Sequence, residues 1–250
     1  MTNKVPYQDL TFDKFRELAK SDQLTQHEKV GFPNEYREGK EETIFADIRA
    51  KLQSLDGRHK TVLEVGPGCS RLPIMLAALC EERDHQLHFA DSPEMLAQLP
   101  EDAHIHKWPG RYPDDVDNLF EQLNGKVDVV IAYSVIQYVF AEGNLWEFLD
   151  CTLSLLADGG EILFGDVPNT SMRKRFFSSA TGVQHHREYT GRDELPDVRF
   201  NQLERGQMDD SVVLAILARA RAQGFHAWLI PQGGDLPMAN RREDVLIRKP

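Results

Sequence analysis

The sequence predicts an α/β protein: a mainly parallel sheet with helices on both faces, preceded by a helical extension. Three observations predict it. From Lys60 onward, short β-favouring runs alternate with amphipathic runs at the pitch of successive strand–helix units. The first of these strands, Thr61–Val65, leads straight into the glycine turn Gly66-Pro67-Gly68 and then an amphipathic run over 71–79. Before Lys60, Phe12, Phe15 and Leu18, then Ile44, Phe45, Ile48, Leu52 and Leu55, recur at helical spacing. At 250 residues the chain is long enough for one large domain with a substantial core.

Taken in order, residues 1–57 read as the helical extension, with the loop Gly31-Phe32-Pro33-Asn34-Glu35-Tyr36-Arg37 between its helices. Strands are expected at Thr61–Val65, 86–90, 103–107, Val127–Tyr133 and 161–165. Helices are expected at 70–82, 93–98, 116–123 and 144–156. Asp158-Gly159-Gly160 reads as a helix stop and turn before the fifth strand. Residues 167–209 break the rhythm; polar and rich in arginine and histidine, they read as an irregular insertion. A helix over 211–222, stopped by Gly224, and strands at His226–Pro231 and 244–248 complete the domain of residues 58–250. No internal repeat or low-complexity tract interrupts it.

Composition narrows the functional classes. An apolar content of 41% and a charged content of 28% are those of an ordinary globular protein. A net charge of −11 argues against a nucleic-acid partner, which needs a clustered basic surface. Cys69, Cys80 and Cys151 show no CxxC and no metal spacing, which suits a reducing cytoplasm, and Cys80 and Cys151 are expected as buried thiols. The N-terminus has no apolar h-region, and the longest apolar run, 72–80, is far short of a membrane span, so no membrane partner is expected. Histidines and carboxylates show no clear metal spacing, and no metal is expected.

The turn after the first strand is the richest chemical signal. Gly66 and Gly68 can take positive φ and carry no Cβ, so a ligand can lie against the backbone. The N–H groups of the following helix attract an anionic group. A dinucleotide fingerprint requires a third glycine, but Cys69, Ser70 and Arg71 follow Gly68. Glu64, just before the turn, would repel a pyrophosphate and suits an ammonium. S-adenosylmethionine carries an ammonium, a carboxylate, a sulfonium and no phosphate. The alternative is a tight strand–helix turn with no ligand. About 20 residues on, Asp91 stands where a carboxylate can accept both ribose hydroxyls. It also suits the N-cap of the next helix, since Ser92 and Pro93 follow.

Together these segments resemble the class I S-adenosylmethionine-dependent methyltransferases. Glu64 to Ser70 is similar to the family's acidic-x-Gly-x-Gly-x-Gly motif, with Ser70 in place of the last glycine. Asp91-Ser92-Pro93-Glu94-Met95-Leu96 resembles its second motif. Val127 to Val139 resembles its fourth strand and active-site lip, and Leu156 to Phe164 its turn into strand five. Residues 224–248 resemble its final hairpin. The resemblance covers roughly 58–166 and 210–250. It implies an α/β, Rossmann-like class I methyltransferase fold: a seven-stranded, mostly parallel sheet with a C-terminal antiparallel β-hairpin and the helical extension in front.

The same resemblance implies S-adenosyl-L-methionine as cofactor. Glu64, Gly66 and Gly68 would hold its methionine end, Asp91 its ribose, and Ser92 and Met95 would lie near the adenine. Trp108, where many relatives carry an acid or amide, would stack on the adenine or belong to the core. Tyr133, Ser134 and Gln137 follow the fourth strand, at the edge where open α/β sheets bind ligands. The loop with Tyr36 and Arg37 is read as a lid, Arg37 meeting the cofactor's carboxylate. His185 and His186 are candidate general bases by position, or a solvated loop pair. Arg173, Lys174, Arg175, Arg187 and Arg192 would receive an acceptor's phosphate or carboxylate, or form a solvated face.

The function expected is methyl transfer to an oxygen or nitrogen of a small molecule, an anionic metabolite or sugar derivative. A homodimer is compatible with the sequence. The competing readings are an NAD-dependent oxidoreductase and a non-catalytic module that binds adenosylmethionine or a partner enzyme.

Overall fold

The computed structural model describes residues 10–250. Its strands are β1 (Thr61–Val65), β2 (Gln86–Asp91), β3 (Ile105–Pro109), β4 (Val127–Tyr133), β5 (Leu156–Pro168), β6 (His226–Pro231) and β7 (Arg242–Arg248). They form one sheet in the order β3-β2-β1-β4-β5-β7-β6. The first five pair in parallel. Only β7 runs against its neighbours, β5 and β6. The sheet, its direction and the final hairpin are those expected from the sequence. Strand order reverses between β1 and β4, and ligands bind at the carboxyl ends of strands beside such a switch point.

The central strands are almost continuously apolar because helices cover both faces. Side chains alternate between two cores. Leu63 joins one with Val130, Phe148 and Phe164, whereas Val62 joins the other with Ile44, Phe89 and Leu163. The helices Leu145–Leu155 and Asp210–Ala222 supply the first core, and Glu41–Lys51 and Arg71–Glu82 the second. Asp128 is the polar exception in β4. It accepts from Thr61 N at 2.9 Å and Lys60 Nζ at 2.8 Å, joining the starts of β1 and β4.

The helical extension expected over 1–57 is present from Phe12, and residues 1–9 lie outside the described residues. It comprises Phe12–Ala19, Gln26–Lys29, Asn34–Arg37 and Glu41–Lys51. Thr25 and Glu28 close a capping box on the second of these. The first lies against the helix Pro93–Leu96, with Arg16 donating from Nε and NH2 to Glu94 at 2.9 and 3.0 Å.

Three expectations are corrected. The turn at Asp158-Gly159-Gly160 is a bulge inside β5, because the strand already begins at buried Leu156 opposite Val127 and resumes pairing at Glu161 opposite Val129. A Cβ at Gly160 would stand 2.8 Å from the carbonyl oxygens of Ala157 and Val127, so the bulge requires glycine. Residues 167–209 are not irregular throughout. They hold the helices Thr170–Phe177 and Ala180–Thr190, capped by Asn169 and Ser179, and Gly191 ends the second at φ +66°. Cys151 is half-buried, while Cys69 and Cys80 are buried, and all three are free thiols. Among the described residues no helix is long and apolar enough to cross a membrane.

Leu63 is fully buried in the middle of β1. Leu63→Ala should lower unfolding free energy by about 3 kcal/mol, read as a lower denaturant midpoint at unchanged slope.

Candidate functional site

A cavity opens at the carboxyl ends of β1, β2 and β4. Its floor is the turn predicted from the sequence. Gly66 and Gly68 have φ of +66° and +64°. A Cβ at Gly66 would stand 2.7 Å from Val135 Cγ2, and one at Gly68 would stand 2.5 Å from Val30 Cγ1. Glycine is therefore required there by conformation and by space. Gly66 N donates to Ala90 O at 2.9 Å, which joins the turn to the end of β2.

Two carboxyl groups flank this turn. Glu64 is 6% exposed, and its Oε2 is buried without a hydrogen-bond partner. Burial, reinforced by the charge of Asp91, pushes its pKa up to about 8. Asp91 accepts from Gly68 N at 3.0 Å and Ser92 N at 2.6 Å. Burial still outweighs those bonds and pushes it up to about 6. Asp91 is thus not the cap of the following helix; Ser92 is, accepting from Met95 N at 3.3 Å. Parallel pairing of β1 with β2 places Asp91 two residues beyond the partner of Glu64, so both acids flank the turn in a space suited to a cation and to hydroxyl donors.

The extension roofs this floor. Phe12, Phe15, His27, Val30, Phe32 and Arg37 all line the cavity. His27 is held at both ring nitrogens: Nδ1 lies 3.1 Å from Asn34 Oδ1 and Nε2 lies 2.5 Å from Glu41 Oε1. Burial raises the pKa of Glu41, but the bond and charge of His27 outweigh it, so the carboxyl sits below its ordinary value.

The far wall comes from the end of β4, which is tied behind the cavity to the end of β5. Arg37 NH2 donates to Ser134 Oγ at 2.6 Å and Asp166 Oδ2 at 2.9 Å. Ser134 also donates to Asp166 Oδ2, and Arg242 NH1 reaches the same oxygen at 2.8 Å. Ser134 and Asp166, joined by their hydrogen bond, have φ of +60° and +59° without being glycine. The Arg37 guanidinium lies over Phe32 at 4.1 Å.

Glu64, Gly66, Gly68, Asp91, Met95, Tyr133, Ser134 and Arg37 therefore meet in one cavity. Other expected residues do not. Ser92 is spent on the cap. Trp108 lies within β3 rather than beyond it, donates from Nε1 to His88 Nδ1 at 3.1 Å and packs on the core, so it does not line the cavity. Gln137 donates to Ser134 O at 2.8 Å and stands behind the wall. His185 sits edge-on to Phe176 and His186 edge-on to Phe177, both outside the cavity. The basic run is largely neutralised: Arg173 and Lys174 pair with Glu204, Arg175 with Asp210, and Arg187 with Asp193. Sequence reasoning missed His27, Glu41, Asp166 and Arg242. Only Asp166 left a trace, as an acid just beyond the expected end of the fifth strand.

No family model matches the chain, and no curated protein matches it in sequence. Solved structures do match. The N-methyltransferase NodS from Bradyrhizobium japonicum WM9, in complex with S-adenosyl-L-homocysteine, is 15% identical with a TM-score of 0.58, over 97% of this chain and 100% of that one. The plantazolicin methyltransferase BpumL, in complex with a monoazolic desmethylPZN analog and SAH, is 12% identical with a TM-score of 0.57, over 95% and 98%. The CurJ carbon methyltransferase is 14% identical with a TM-score of 0.56, over 95% of this chain but 64% of that one. The chain thus has the class I methyltransferase fold.

Glu64 gives the ligand-free protein a pH dependence of defined sign. The fold holds its proton up to about pH 8, whereas the ordinary value for a glutamate is 4.5. Stability from this group is complete below the lower value and lost as pH rises through the upper one. Between the two, wild type should lose on the order of a few kcal/mol more than Glu64→Gln, measured by denaturant unfolding of both across that range.

Proposed function

We propose that this chain is an S-adenosylmethionine-dependent methyltransferase acting on an oxygen or nitrogen of a small molecule, an anionic metabolite or sugar derivative. The observation that carries the proposal is the buried pair Glu64 and Asp91 beside a glycine turn that tolerates no Cβ. The residues fit the cofactor's chemistry. The unpartnered Glu64 oxygen takes the ammonium, and Asp91, with lone pairs beyond its two backbone bonds, takes the ribose hydroxyls. Gly66 and Gly68 let the methionine end lie on the backbone, Met95 lies beside the adenine, and Arg37 meets the carboxylate. The bound cofactor supplies an electrophilic methyl group on a sulfonium.

What the protein contributes is alignment and exclusion of water. Phe12, Phe15, Val30 and Phe32 form an apolar roof over the turn, and residues 10–57 act as the lid. The segment 167–209 flanks the acceptor side. A net charge of −11 favours a small acceptor over nucleic acid. An NAD reading fares worse, because a pyrophosphate would meet two buried acids and no third glycine. A non-catalytic binding module shares the cofactor contacts and differs only in turnover.

Calorimetric titration with S-adenosylmethionine, S-adenosylhomocysteine and NAD tests this reading. Both adenosyl compounds should bind and NAD should stay silent; NAD binding alone would reverse the assignment. Asp91→Ala should weaken S-adenosylhomocysteine binding at least about tenfold, the worth of a charge-assisted hydrogen bond. The ammonium requires ionised Glu64, so affinity should rise as pH approaches about 8, with proton release read from buffers of different ionisation heat.

A further inference from the structure

Positive charge near the cavity is unevenly answered. The arginines and lysine at the start of the 170–190 helices have their own acids. At the ends of β4 and β5 and the start of β7, Arg37 and Arg242 share one, Asp166. Arg241, next to them, makes no ion pair among the described residues. Its Nε is buried without a hydrogen-bond partner, and its guanidinium lies 5.7 Å from the Phe177 ring centre. Burial lowers its pKa, and the positive charges of Arg242 and Arg173 add to this against the opposing influence of Tyr36 and Tyr189.

Nearby acids are committed elsewhere. Glu243 accepts from Asn169 Nδ2 at 2.5 Å. Asp244 accepts from Lys51 Nζ at 2.6 Å, Gln232 Nε2 at 3.0 Å and Asp166 N at 2.8 Å. Among the described residues, Arg37 and Arg242 thus share a single carboxylate, and Arg241 has none. If the cofactor's carboxylate answers Arg37, one positive charge remains on the Arg241–Arg242 pair. Arg242 also lies 5.8 Å from the ring centre of Phe32, which lines the cavity, so the surplus adjoins its wall.

We propose that the acceptor carries an anionic group, a carboxylate or a phosphate, received by Arg241 and Arg242. This rests on the methyltransferase reading and names the acceptor class it takes. Guanidinium groups suit such anions because their N–H donors match the oxygens in pairs. The phenylalanine faces of Phe32 and Phe177 brace the two guanidinium planes while the second partner is away.

The experiment titrates the S-adenosylhomocysteine-saturated protein with acetate, inorganic phosphate and methylammonium at constant ionic strength, following its thermal shift. At least one anion should bind saturably and methylammonium should not; which anion binds separates the carboxylate from the phosphate. Arg241→Gln and Arg242→Gln should each weaken that anion about tenfold, the worth of one charge-assisted pair, and Arg241→Gln should leave S-adenosylhomocysteine affinity unchanged. Arg241→Lys, which keeps the charge, should retain anion binding even where a glutamine variant fails to fold. Saturable methylammonium binding, anion binding indifferent to both glutamine variants, or no saturable anion binding would overturn the proposal. Failure of S-adenosylhomocysteine to bind wild type would instead remove the cofactor reading, and that titration comes first.

Discussion

Two carboxyl groups kept from water at the ends of adjacent strands are the constraint on which the site depends. Glu64 and Asp91 come from β1 and β2, whose parallel register brings their carboxyl ends level. Asp91 is relieved by two backbone N–H groups, and Glu64 by none on its buried oxygen. A buried acid without a partner is costly. The fold bears that cost where β1 must end in a turn without side chains, so both the strain and the opening for a ligand fall at the same place. The roof keeps the local dielectric low, which strengthens whatever ion finally meets these acids.

The floor of the cavity was legible in the sequence because its determinants are local. Strand, glycine turn and helix follow one another over 61–82, and Asp91 ends the next strand. The two central strands announced themselves as short β-favouring runs, each interrupted by one acid, Glu64 or Asp128. The far wall was not legible, because its bonds join residues far apart in the chain. Arg37 meets Asp166, and Asp166 meets Arg242. No periodicity marks such a meeting.

Local signals also misled where a distant partner changed their meaning. The basic stretch over 173–192 read as an anion site or a solvated face, and acids further along, Glu204 and Asp210, consume much of its charge. Trp108 seemed to follow the third strand, yet β3 runs two residues beyond the expected end and carries the indole into a stack with His88. The helices Thr170–Phe177 and Ala180–Thr190 were hidden by polar composition, since their caps look like loop residues. Each departure is a tertiary contact overriding a local pattern.

The position of β7 has a consequence for biosynthesis. Among the described strands it comes last in the chain, yet it lies between β5 and β6. Its residues Arg242 and Asp244 hold Asp166 and, through Lys51, the helix that bears Glu41. A nascent chain that has exposed the glycine turn and both acids therefore still lacks the strand that locks wall and roof together. The floor can assemble as the chain emerges, but the closed cavity waits for the final strand to insert. A chain from which β7 has not yet emerged presents an open, half-built cleft, and only one that has inserted β7 holds a ligand tightly.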